Sequence, residues 1–230
     1  MKVIVTGSEG LVGQTMVATA TAAGREVTGL SRKDCDLAQL DRVRAAVSAG
    51  RPDVVIHAAG NVDGGALESD PDTAYRDNVL ATQNVTLAAE EAGAAVVYLS
   101  ANLVFDGALA HPQAYFEYDR PAPRSVYARS KYAGEEVARS LTNRFYVVRT
   151  AWLFGKRAMP GRIDLARRVL QMAEEGQAMT MVEDLYANPT YVADLSRAIL
   201  ELVETSAYGT YHLVNEGAAS PLELARETLR

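Results

Sequence analysis

The chain has 230 residues, 48% hydrophobic and 23% charged, with a formal net charge of −6. A chain of this size can bury one core without covalent staples, and its acidic balance speaks against nucleic acid or an anionic membrane as its main partner. A single cysteine, Cys35, excludes an intramolecular disulfide and a cysteine zinc cluster. His57, His111 and His212 lie far apart, with no HExxH spacing, so no metal is expected. The first apolar run, Val3-Ile4-Val5, is too short for a signal peptide, and no stretch approaches the roughly 20 apolar residues of a membrane span, so we expect a cytoplasmic protein.

Val3-Ile4-Val5 reads as a buried strand, followed by a helix over 11–23. A second strand is expected over 26–30. A helix over 37–49 would carry Leu37, Leu40, Val43 and Val47 on one face, and a third strand would run over 53–57. The long pattern over 72–92 predicts a helix with Asn78, Ala81, Thr82, Val85 and Ala89 on one stripe. A fourth strand over 95–100 leads into a loop rich in proline and tyrosine, ending near 124. A helix over 127–141 and a fifth strand over 145–149 follow.

Continuous apolar strands alternating with amphipathic helices predict an α/β fold, a doubly wound parallel sheet covered on both faces. Beyond 149 the rhythm changes. We expect a loop over 154–161, a helix over 162–175, a short strand near 179–182, a helix over 192–204 and a strand near 211–214. The expected division is a dinucleotide-binding domain over 1–150 and a small substrate-binding lobe over 151–230 that is not an independent domain. Ser220-Pro221-Leu222-Glu223 is a capping box with proline at the first helical position. With about ten residues left and no C-cap signal, further residues are expected beyond Arg230.

Gly7-Ser8-Glu9-Gly10-Leu11-Val12-Gly13 is GxxGxxG between the first strand and the first helix. Gly7 would permit the tight turn, Gly10 the approach of a pyrophosphate to the helix N-terminus, and Gly13 close helix packing. In this setting the motif predicts a Rossmann-type dinucleotide site. At the end of the second strand stand Ser31-Arg32-Lys33, with Asp34 and Asp36 a little later. Two cations there suit a 2′-phosphate, hence NADP(H). The alternative is a solvated basic turn.

Tyr127 and Lys131 are i and i+4 on one helix face. A phenol with a pKa near 10 is a poor acid at neutral pH, and a neighbouring ammonium lowers that pKa. The same lysine can hold the nicotinamide ribose.

Here the sequence resembles the extended short-chain dehydrogenase/reductases, and within them the dTDP-4-dehydrorhamnose reductase family. The resemblance rests on His57-Ala58-Ala59-Gly60-Asn61-Val62-Asp63, on the run from Tyr98 to Gly107, on Tyr115-Phe116-Glu117-Tyr118-Asp119 leading to Tyr127, on Arg149-Thr150-Ala151-Trp152-Leu153-Phe154-Gly155, and on Asn188-Pro189-Thr190-Tyr191-Val192-Ala193-Asp194-Leu195. It implies an NADPH-dependent reductase of a nucleotide-linked 4-keto-6-deoxy sugar. It further implies that Gly10, Leu11 and Val12 touch the pyrophosphate, Asp36 and Leu37 flank the adenine, and Ala58, Ala59 and Gly60 lie along the ribose. Tyr127 would be the proton donor with Lys131 as its partner, and Trp152 would line the sugar site together with Ser100, Ala101 and Asn102.

Two of these positions leave alternatives. Trp152 would otherwise fill the core, and Asn78 reads better as a buried amide bonded to backbone than as a cofactor residue. The chain departs from the family at Ala101, where a Ser or Thr usually stands three residues before the valine of the fourth-strand segment, and at Asn102, where Asp is usual. Ser100 does not replace the missing hydroxyl automatically, because strand neighbours point to opposite faces. The alternatives to a reductase are a non-catalytic NADP-binding regulatory subunit and a nucleotide-sugar epimerase or dehydratase. A homodimer is expected through the two helices carrying Ala81, Val85, Ala89, Tyr132 and Val137.

Overall fold

A computed structural model describes residues 1–110, 113–156 and 164–230. Five strands follow the expected order: β1 (Lys2–Thr6), β2 (Glu26–Leu30), β3 (Val54–His57), β4 (Ala95–Ala101) and β5 (Phe145–Thr150). With β8 (Gly209–His212) they form a six-stranded sheet in the order β2-β1-β3-β4-β5-β8, every neighbouring pair parallel. Each strand pair requires a crossover, and the helices α1 (Leu11–Ala22), α2 (Leu40–Gly50), α5 (Ala81–Glu91), α6 (Val126–Leu141) and α8 (Val192–Leu202) cover the two faces. On one face Val3, Val5, Ile56 and Val97 pack with Met16 and Ala20 of α1 and Leu195 and Ile199 of α8. On the other, Ile4 and Val55 pack with Val43 and Val47 of α2 and Val85 and Ala89 of α5.

The segment over 72–92 is helical but not uniform. Asp70 caps α4 (Pro71–Tyr75), a π-helical turn occupies Arg76–Leu80, and α5 completes the run. The expected stripe is buried throughout, with Asn78, Ala81, Thr82, Val85 and Ala89 all at 4% exposure or less. That burial corrects the dimer expectation for Ala81, Val85 and Ala89, which pack inward and offer nothing to a partner. A short helix α3 (Gly64–Ser69), capped by Asp63, stands where no element is expected.

Further along, α2 begins three residues later than expected, leaving Leu37 in the preceding loop. The strand expected near 179–182 does not form. Val182 is exposed, and its carbonyl takes one hydrogen bond from Leu222 N, with no strand alongside. The pairing found instead is a two-residue ladder of β6 (Leu153–Phe154) with β7 (Thr190–Tyr191). Helix α7 (Leu165–Glu174) starts from its cap Asp164; the expected start at 162 lies outside the described residues, as does His111. The capping box of α9 (Pro221–Thr228) is present in full. Both β8 and α8 come from the segment assigned to the lobe, yet they belong to the main sheet and its core. Among the described residues no helix is long and apolar enough to cross a membrane, and no group of three or more potential metal ligands gathers.

Candidate active site

At the end of β1 the backbone turns through Gly7, whose φ of 68° favours glycine. A Cβ there would lie 2.7 Å from the Ala59 backbone, and one at Gly13 would lie 2.0 Å from the Gly7 carbonyl oxygen. The turn therefore packs directly on the loop after β3 and on the first turn of α1. The first helical bond of α1 runs from Gln14 N to Gly10 O, so the N–H groups of Leu11, Val12 and Gly13 precede it, and no side chain caps this end. Such an end attracts an anion.

A chain of hydroxyls and one imidazole locks the same loops together. Thr82 donates its hydroxyl proton to Asn78 O at 2.6 Å, so its oxygen accepts from His57 Nε2 at 3.1 Å. His57 Nδ1 then accepts from Thr6 Oγ1 at 2.7 Å, and Thr6 Oγ1 accepts from Ala59 N at 3.3 Å. Burial, with the nearby Lys131 charge adding to it, pushes the His57 pKa down to about 3, which keeps the ring neutral. Asn78 sits in the π-helical turn and is fully enclosed. Its amide bonds Asn61 N at 2.7 Å, Asn61 O at 2.9 Å and Ser130 Oγ at 2.9 Å. These bonds tie the π-helical turn to the loop after β3, the backbone partner expected of a buried amide.

A cleft of about 490 Å³ opens beside the glycine turn. Gly7, Gly10, Arg32, Asp36, Leu37, Ala58, Ala59 and Gly60 all line it. Leu11, Val12 and Gly13, in the first turn of α1, are not among its lining residues. Lys33 is absent from the wall: its ammonium turns to Glu9, 3.2 Å away on the surface. The cation missed by sequence reading is Arg76, which lines the cleft and pairs with Asp36 at 2.8 Å and with Asp77 at 2.9 Å. Arg32 lies 3.6 Å from Asp77. Hydrogen bonds from the Ala38 backbone and Gln39, with Arg76 and Arg32 nearby, hold the Asp36 carboxyl below the usual carboxylate range.

Ser125 caps α6, and Glu68 of α3 accepts from Val126 N at 2.6 Å, which ties the helix start to the neighbouring layer. Tyr127 packs against Leu67, Ala74 and Val126. One turn on, Lys131 is 5% exposed. Its Nζ lies 4.4 Å from the centre of the Tyr98 ring and 3.7 Å from where a Cβ at Gly60 would be. Burial lowers its pKa to about 8, against the opposing pull of Glu135. Gly134 leaves room for Tyr98, whose hydroxyl donates to Lys131 O at 3.1 Å; a Cβ at 134 would stand 2.3 Å from that hydroxyl. Neither Lys131 nor Tyr127 lines either cleft, but the Lys131 ammonium lies close to Gly60, a wall residue of the first.

A second cleft of about 910 Å³ lies past the ends of β4 and β5, lined by Asn102, Phe105, Tyr115, Arg149, Thr150, Tyr186, His212 and Arg226, among others. Of the four residues expected there, Asn102 lines it, but Ser100, Ala101 and Trp152 do not. Ser100 donates to Glu135 Oε1 at 2.5 Å. It belongs to an enclosed network in which Glu135 also takes bonds from Arg149 Nε at 2.9 Å, Arg149 Nη2 at 2.8 Å and Arg139 Nη2 at 2.9 Å. The expectation that Ser100 binds substrate is therefore corrected: its side chain faces α6. Trp152 stands at the corner between β5 and β6 with a φ of 42°, part-buried, its carbonyl accepting from Thr190 N.

The RmlD substrate binding domain model matches residues 1–230. The chain is 32% identical over 224 residues to the spore coat polysaccharide biosynthesis protein SpsK of Bacillus subtilis, covering 97% of this chain and 77% of that one. It is 33% identical over 228 residues to the dTDP-4-dehydrorhamnose reductase of Mycobacterium tuberculosis H37Rv, covering 98% and 73%. The crystal structure of dTDP-4-dehydrorhamnose reductase from Bacillus anthracis in complex with NADP superposes with a TM-score of 0.93 at 34% identity, covering all of this chain and 80% of that one. Matched over its whole length by that family model, the chain belongs to the RmlD substrate binding domain family.

Proposed function

We propose that this protein is a reductase that uses NADPH to convert a nucleotide-linked 4-keto-6-deoxy sugar, of the dTDP-4-dehydrorhamnose type, to its alcohol. The observation that carries the reading is the position of Lys131: its buried ammonium lies against Gly60 on the wall of the cofactor cleft, one helical turn from Tyr127. The residues fit a dinucleotide. Any Cβ at Gly7 or Gly13 would collapse the glycine turn, and the α1 N–H groups supply donors for a pyrophosphate. When bound, NADPH supplies the hydride that reduces the keto carbon.

Tyr127 donates the proton to the keto oxygen. Lys131 holds a positive charge beside it at neutral pH and favours the phenolate left behind. Arg32 and Arg76 face the 2′-phosphate end, with Asp36 and Leu37 along the adenine. Asn102 meets the sugar nucleotide in the second cleft, whose far wall comes from the segment that includes Tyr186 and Arg226. A cytoplasmic location belongs to the same reading, as does a homodimer through α6, where Tyr132 and Val137 are part-exposed. A monomer in sedimentation at micromolar concentration would end the dimer proposal.

The test is oxidation of NADPH on adding dTDP-4-dehydrorhamnose. Turnover is expected in the wild type and none in Tyr127→Phe, with NADPH binding retained in both. Equal turnover in the two would remove Tyr127 from its role.

A further inference from the structure

Among the described residues, two buried side-chain polar atoms have no hydrogen-bond partner, and one of them is Thr150 Oγ1. Thr150 is the last residue of β5, 6% exposed, and it lines the second cleft. A buried hydroxyl left without a partner costs stability, of the order of 1–3 kcal/mol, so its persistence asks for a ligand.

Strand register shows where this hydroxyl points. Ser100 pairs with Arg149, and both side chains reach Glu135 on the α6 face. The next pair, Ala101 with Thr150, therefore projects to the opposite face, the one that carries α1 and its glycine turn. At this level β4 offers only the methyl of Ala101, because the Ser100 hydroxyl is committed to Glu135. The free hydroxyl at the rim of the sheet is Thr150.

We propose that Thr150 is a catalytic residue that donates a hydrogen bond to the substrate carbonyl oxygen. The assignment rests on the reductase reading above. The keto carbon gains a hydride from the reduced cofactor, which is thereby oxidised. The electron pair of the C=O π bond moves to oxygen, and that oxygen takes its proton from Tyr127. Thr150 keeps its own proton throughout; its bond shortens as charge grows on the oxygen and so favours the transition state over the ground state. Position 101, where the resemblance places a hydroxyl, is thus served from the neighbouring strand.

The experiment compares Thr150→Val, Thr150→Ser and Thr150→Ala with the wild type, reading kcat and KM for dTDP-4-dehydrorhamnose and, separately, the Kd for NADPH by fluorescence. Losing one such donor should lower kcat of Thr150→Val by about 10²–10³-fold. The Kd for NADPH should move by no more than about two-fold. Thr150→Ser and Thr150→Ala share the lost methyl and differ in the hydroxyl, so Ser active and Ala crippled is the expected split even if Val folds poorly. Ala101→Thr should restore part of the rate in the Thr150→Val background. Wild-type turnover with equal kcat in Ser and Ala overturns this proposal alone, as does weaker NADPH binding at unchanged kcat. No turnover in the wild type overturns the reductase reading and this proposal with it.

Discussion

Replacing Glu135 with Gln tests the enclosed charge network behind the Tyr–Lys pair. The Glu135 side chain is fully buried and Arg149 is 3% exposed, and the carboxylate takes bonds from Arg149, Arg139 and Ser100. Burial alone would raise the Glu135 pKa, but the bonds and charge of Arg149, the Ser100 hydroxyl and the Arg139 charge outweigh it and hold the carboxyl below its ordinary value. Glu135→Gln keeps the shape, removes the charge and turns an NH₂ group toward donors. Removing one partner of a buried pair costs about 3–5 kcal/mol. Against the roughly 5–15 kcal/mol of a typical domain, a stability above the low end of that range keeps the variant folded at that cost. A second effect appears in catalysis. Glu135 is the group that props up the Lys131 pKa against burial. The wild-type rate should fall as pH rises past about 8, where Lys131 loses its proton, and in Glu135→Gln that fall should begin at lower pH. Urea denaturation and a kcat–pH profile on the same protein read both effects. A stability change under about 1 kcal/mol would refute the buried-pair argument. An unmoved alkaline limb in a folded variant would refute the link to Lys131.

Arg32→Ala should cut the preference for NADPH over NADH by about tenfold or more, while Lys33→Ala, whose ammonium turns to Glu9 outside the cleft, should leave it nearly unchanged; cofactor KM ratios decide. The His57 ring, with its pKa lowered to about 3, binds a proton in the unfolded chain but not in the fold between that value and about 6.5. Its contribution is present above pH 6.5 and is lost as pH falls, by about 2 kcal/mol at pH 5, and urea titrations at pH 7 and 5 should show that loss shrink in His57→Gln. Gly134→Ala should lower Tm, because overpacking against Tyr98 costs about 1–3 kcal/mol and exceeds the roughly 1 kcal/mol of helix propensity gained. The penalty should be smaller in a Tyr98→Phe background; an equal penalty would mean that the contact is not what excludes alanine.

The parts of this molecule that local chemistry specifies could be read from the sequence. Val3-Ile4-Val5 and Val54-Val55-Ile56 are apolar on both sides because both faces of the sheet are covered, and Ser220 with Glu223 caps its helix using residues three apart. Tyr127 and Lys131 meet by helical spacing, and Gly7 and Gly13 by the space they leave. What stayed hidden depends on distant partners. Arg76 reaches the cleft because the helix changes pitch around Asn78, and that change is held by Asn61 and Ser130, which are remote in sequence. Glu135 and Arg139 look like a solvated helix face until Arg149 and Ser100 close over them. The two-residue ladder of β6 and β7 is too short to carry an alternation, while the apolar run at Met179–Val182 has no strand beside it to pair with.

The π-helical turn has a consequence for how this gene can change. An α-helix advances roughly 100° per residue, so the extra residue accommodated at Arg76–Leu80 sets α4 and α5 out of phase by about that angle. Deleting one residue within Arg76–Leu80 would let the segment relax to a uniform helix. The inward stripe of α5 would stay seated on the sheet, and everything before it would swing round, taking the Asn78 amide from Asn61 and the Arg76 guanidinium from Asp36. One lost codon within the π-helical turn would thus dismantle the Arg76–Asp36 end of the cleft and pull Ala74 from Leu67 and Val126, while the α5 packing on the sheet remained.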